Sequence, residues 1–150
     1  MMPKHMAWST MGDLLLVAHD EGPPSDDEWQ AWLRQFEASA RGLRANVVSS
    51  LGGGPTSSQR KELLAVLAHL DHVPAAVILT SSALMRGLVT AIGWFLPADR
   101  RPTMFGVDEV GPAFDLLGLD RSVRPAVRAE IERLRASLVA GPKAAVSRRA

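Results

Sequence analysis

The chain has 150 residues, no cysteine, and 17 basic against 16 acidic side chains, a formal net charge of +1. That length fits one domain with a real core. The near-neutral balance argues against a partner bound through bulk electrostatics, and so against nucleic acid, while the missing cysteines exclude disulfides, thiol chemistry and cysteine-ligated metals. The N-terminus carries no apolar run of signal-peptide length, and no stretch approaches the roughly 18 continuous apolar residues of a membrane span. The sequence therefore reads as a cytoplasmic protein without membrane insertion.

Residues 5–20 predict a β-hairpin, in which Met6, Trp8 and Thr10 alternate with smaller or polar neighbours and Gly12-Asp13 supplies the turn. Residues 25–40 predict a helix. Ser25 and Glu28 form a capping box, and Asp26 and Asp27 suit the positive end of its dipole. Trp29, Trp32, Leu33 and Phe36 recur at helical spacing, which describes either a core stripe or an aromatic platform for a ligand.

The central stretch is 43–64. Val47 and Val48 mark a short buried strand, Gly52, Gly53 and Gly54 open the backbone, and Pro55 ends it. Thr56 and Gln59 then form a second capping box at the head of a helix over 56–70. Two readings stay open. The turn is a tight strand-to-helix connection, or its amides hold an anion at the helix N-terminus with Arg60 and Lys61 nearby. Gln59 is placed in the solvated first turn.

Residues 75–79, AAVIL, predict a second buried strand running into Thr80, Ser81 and Ser82, natural N-caps for a helix over 83–95. That helix is apolar nearly all round: Leu84, Met85, Leu88, Ile92, Trp94 and Phe95 cover more than one face. Such a helix is either deeply buried or packs on a second surface, most simply in a homodimer. Residues 103–107 predict a third parallel strand, 109–117 a further helix, and 122–139 an amphipathic final helix with Arg124, Arg128, Arg133 and Arg135 on its wetter sides. Residues 141–150 read as a basic flexible tail following one domain over 1–140. Alternating strands and helices build an α/β domain with a mixed, mostly parallel sheet of about five strands.

This order resembles the STAS domain of bacterial anti-sigma factor antagonists, over residues 8–119. The resemblance implies a serine or threonine at the head of the second main helix that a partner kinase phosphorylates. In the antagonists that residue follows an Asp-Ser-Ser-Gly or Asp-Ser-Thr-Gly run. Here the place holds a longer loop, Ser49-Ser50-Leu51-Gly52-Gly53-Gly54-Pro55-Thr56-Ser57-Ser58.

The carboxy ends of the parallel strands should gather these hydroxyls, Ser81, Ser82, Asp108 and Glu109 at one edge, where open α/β sheets bind ligands. No P-loop, dinucleotide fingerprint or G-x-S-x-G elbow is present, and the four histidines lack metal spacing. The expectation is a non-enzymatic regulatory or scaffold domain without cofactor or metal, working through protein contacts and switched near Thr56, Ser57 and Ser58. Its alternatives are an anionic-ligand binder or enzyme using the glycine turn, and a self-assembling structural subunit.

Overall fold

The computed structural model describes residues 4–139, so the expected tail at 141–150 lies outside the described residues. Strands β1 (Met6–Met11) and β2 (Leu14–His19) form the hairpin; β3 (Ala45–Ser50), β4 (Ala75–Thr80) and β5 (Thr103–Phe105) complete a five-stranded sheet in the order β1-β2-β3-β4-β5. β1 pairs antiparallel with β2, and every later pair is parallel. The helices are α1 (Asp26–Ser39), α2 (Ser57–His69), α3 (Ala83–Gly93), α4 (Val110–Leu117) and α5 (Arg124–Val139). None of them is long and apolar enough to cross a membrane.

Both predicted capping boxes form. Ser25 Oγ accepts from Glu28 N at 3.1 Å and Glu28 Oε1 from Ser25 N at 3.0 Å. Thr56 and Gln59 repeat the exchange at 3.3 and 2.9 Å. The remaining oxygen of Glu28 accepts from the amides of His5 and Met6, which ties the head of α1 to the start of β1.

Sequential strand order fixes where the helices go. Each parallel crossover steps the same way, and right-handed crossovers then place α1, α2 and α3 on one face. Leu15, Val17, Val48 and Ile78 point to that face and meet Trp29, Trp32, Phe36, Leu67, Met85 and Val89. The opposite face would be bare. Leu16, Val47, Val77 and Leu79 emerge there, and the chain covers them with Ala113 and Phe114 of α4 and Val127, Ile131 and Leu134 of α5. The final helix is therefore one wall of the core. It packs on β1 and β2 and does not cover α3.

Two polar residues expected at the surface are held inside the fold, Gln59 buried and Arg135 half-buried. Gln59 is 1% exposed. Its Oε1 caps Thr56 N, and its Nε2 donates to Pro24 O at 3.0 Å and Asp26 Oδ1 at 3.1 Å, so one carboxamide joins the heads of α1 and α2. The side chain of Arg135 is 16% exposed. Its guanidinium donates to Ser49 Oγ and Val107 O, both at 2.7 Å, and clamps α5 to the carboxy end of β3.

Candidate functional site

The carboxy edge of the parallel strands does gather the predicted loops. Val107 N donates to Ser81 Oγ at 3.2 Å, and the glycine turn lies against Ser82. Within that edge the hydroxyls divide into two kinds.

The first kind holds the backbone. Ser50 is 1% exposed; its Oγ donates to Gly53 O at 2.6 Å and accepts from Gly52 N at 3.0 Å, so it closes the turn and offers no accessible hydroxyl. Ser82 Oγ accepts from Met85 N and caps α3. Thr80 Oγ1 accepts from Ser82 N.

The second kind faces solvent: Thr56, Ser57 and Ser58 are all exposed at the head of α2. Thr56 Oγ1 already accepts from Gln59 N as the cap. Ser57 opens the helix and Ser58 follows it, with Ser58 Oγ 3.4 Å from Thr56 Oγ1.

The glycine turn is shut by its own chain. Gly53 N donates to Asp20 O at 2.8 Å and Gly52 N to Ser50. A Cβ on Gly53 would lie 2.3 Å from Gly22 O and 2.5 Å from Asp20 O, so glycine is required there by close backbone approach. Gly52 adopts φ +129°, a conformation L side chains rarely take. Gly54 presses on the Met85 thioether. Arg60 turns back to Pro55 O at 3.0 Å. Gly52 N, Gly53 N and Arg60, three of the groups invoked for an anion, are thus engaged within the loop. Glu109 likewise accepts from Gly106 N, capping its own turn.

Helix α3 ends at Gly93, two residues short of the predicted helix, so Trp94 and Phe95 lie past its end. Within it Met85, Val89 and Gly93 are buried, Leu88 and Ile92 are half-buried and Leu84 is 72% exposed; Trp94 and Phe95 are 74% and 75% exposed. Met85 therefore belongs to the core. Leu84 stands on the same edge as Leu51, which is 46% exposed.

Sequence reasoning passed over His19 and Asn46, two buried polar residues on the α1–α3 face of the sheet. Burial depresses the His19 pKa from 6.5 to about 4, against the opposing pull of the Asp20 and Glu28 carboxylates, so the imidazole is neutral at physiological pH. The signal was His19 as the one polar residue of β2, and Asn46 directly before the valine pair of β3. Among the described residues no group of three or more histidine, aspartate or glutamate side chains is placed to hold a metal ion. Comparison with protein-family models finds no match to this chain, and comparison with curated proteins finds none either.

Proposed function

We propose that the chain is a STAS-like regulatory or scaffold domain that works through protein contacts at the carboxy edge of its sheet. The hairpin, the sequential mixed sheet and the position of the α2 head support the STAS likeness. The observation that carries the reading is the pairing of exposed apolar groups, Leu51 and Leu84, with the exposed hydroxyls Thr56, Ser57 and Ser58 on one edge.

Ser57 and Ser58 are the preferred modification positions. A phosphate there sits at the positive end of α2, where the helix dipole favours negative charge, and it leaves the cap intact. Modifying Thr56 sacrifices the cap bond to Gln59 N. Added charge beside Leu51 and Leu84 changes what that edge accepts. The simplest contact is a second copy of the chain seated against Leu84 on α3 and against Trp94 and Phe95 past its end.

The experiment is a quantitative profile of co-purifying proteins for wild type, Ser57→Glu, Leu84→Asp and Leu116→Asp. Leu116 is 56% exposed on α4, which covers the opposite face of the sheet, and serves as the control. Leu84→Asp should lose specific partners, Ser57→Glu should change them, and Leu116→Asp should keep them. Identical profiles for wild type, Ser57→Glu and Leu84→Asp would refute the proposal.

A further inference from the structure

Between the sheet and helices α1–α3 lies a cavity of about 100 Å³. Val48, Ile78, Phe36, Leu67 and Val89 make its walls mostly apolar. Among the described residues, four buried side-chain atoms have no hydrogen-bond partner: His19 Nδ1, Trp29 Nε1, Trp32 Nε1 and Asn46 Oδ1. All four residues line this one cavity. Buried polar groups are nearly always paired, because leaving one dry and unpartnered costs free energy. Scattered through a core, four such atoms would be separate faults. Collected on one apolar cavity, they have the anatomy of a small-molecule site, a greasy enclosure with a few convergent polar groups.

The placement follows from the fold. Strand alternation puts His19 and Asn46 on the face that carries Val17 and Val48, under α1. Trp29 and Trp32 lie one turn apart on α1 with ring centroids 4.9 Å apart. Phe36 stacks on Trp32 a turn further on.

The chemistry of the four atoms selects the occupant. Each indole N–H only donates, Asn46 Oδ1 accepts, and the neutral His19 imidazole does either according to its tautomer. The one lining residue with a formal charge is Arg100, half-exposed at the rim. Nothing inside compensates an ion, so a charged ligand would be strongly disfavoured. The volume is near that of an apolar cavity known to take benzene, about 150 Å³, and too small for a long acyl chain. Met85 in the wall is flexible enough to supply the difference.

We propose that this cavity binds a small uncharged molecule whose ring-sized apolar body carries a hydroxyl-like group, an acceptor for the indole N–H groups and a donor for Asn46 or His19. His19 and Asn46 stand four residues apart along the register, so such a ligand meets one of them, and a bridging water serves the other. The site is independent of contacts made at the sheet edge.

Phenol is the probe, with toluene as its counterpart lacking the hydroxyl. In nitrogen-labelled full-length protein the four tryptophans give four indole N–H resonances. Phenol should shift those of Trp29 and Trp32 saturably and leave those of Trp8 and Trp94 in place. It should bind at least about tenfold more tightly than toluene, the difference one good hydrogen bond makes. Trp32→Phe should reduce that preference, with Trp29→Phe in its place if that variant fails to fold, and one of Asn46→Leu and His19→Leu should reduce it as well. The proposal is overturned if no saturable shift appears, if toluene binds as well as phenol, or if all four indoles shift alike.

Discussion

Replacing Gly53 by alanine tests the claim that the glycine turn is a brace. The new Cβ would sit 2.3 Å from Gly22 O and 2.5 Å from Asp20 O. That is about 1 Å inside the closest ordinary C–H···O contacts, near 3.3 Å. Both obstacles are backbone, so no side chain can rotate away. The 20–22 segment must move, and it is held: Asp20 accepts from His5 Nδ1 at 3.0 Å and from Gly22 N at 2.9 Å. Relief therefore disturbs those bonds and the Gly53 N to Asp20 O bond. Overpacking costs about 1–3 kcal/mol, and one lost hydrogen bond adds about 1 kcal/mol. Gly53→Ala should thus lose about 2–4 kcal/mol in a urea melt, a fall in Tm of roughly 5–15 °C for a domain of this size. Gly54→Ala is the internal control. Its Cβ meets only the flexible end of Met85, and the cost should stay below about 1 kcal/mol. If Gly53→Ala melts within about 0.5 kcal/mol of wild type, well inside the expected loss, the close-approach argument is wrong.

Other expectations concern the buried polar groups. Gln59→Glu replaces a carboxamide that donates to Pro24 O and Asp26 Oδ1 with a group that, ionised, cannot donate. It should destabilise by at least about 3 kcal/mol at pH 7 and by less at pH 4, where protonation restores one donor; equal losses at both pH values would count against the assignment. His19 has a folded-state pKa of about 4, below its unfolded value of 6.5. Between those values the unfolded chain binds more protons, so stability falls as pH falls, by up to about 1.4 kcal/mol per pH unit. Subtracting His19→Gln melts from wild-type melts over pH 5 to 6.5 isolates this slope, and a flat difference would contradict the burial account. Arg135→Met should cost about 1–3 kcal/mol, because it leaves Ser49 Oγ and Val107 O without their donor. If thermal melts of that variant match wild type, the clamp has no energetic role.

The elements were legible because their signals are local. Ser25 with Glu28, and Thr56 with Gln59, announce helix starts within a few residues, and valine-rich runs between turn residues announce strands. The gathering of these turns at the carboxy edge was legible too, since strand-to-helix turns in a parallel sheet end on one side. Partners distant in sequence were not legible. Gln59 looked like surface because Pro24 lies 35 residues away. Arg135 looked wet because Ser49 lies 86 residues away. The hydroxyls of Ser50 and Ser57 are alike in sequence, and only the closed turn separates the buried one from the exposed one. The full coat of α3 did signal more than one face. Met85, Val89 and Gly93 form the buried stripe and Leu84 is exposed, while Trp94 and Phe95 are exposed past the end of the helix. Why α4 and α5 exist became plain only from strand order, because sequential right-handed crossovers leave one face of the sheet bare.

The most direct test of the contact surface is the solution mass of the purified chain by light scattering across a wide concentration range. The account predicts an assembly larger than the 16.2 kDa monomer, one that Leu84→Asp dissociates and Leu116→Asp leaves intact. A strict monomer at every concentration, together with a partner profile unchanged by Leu84→Asp, would contradict it.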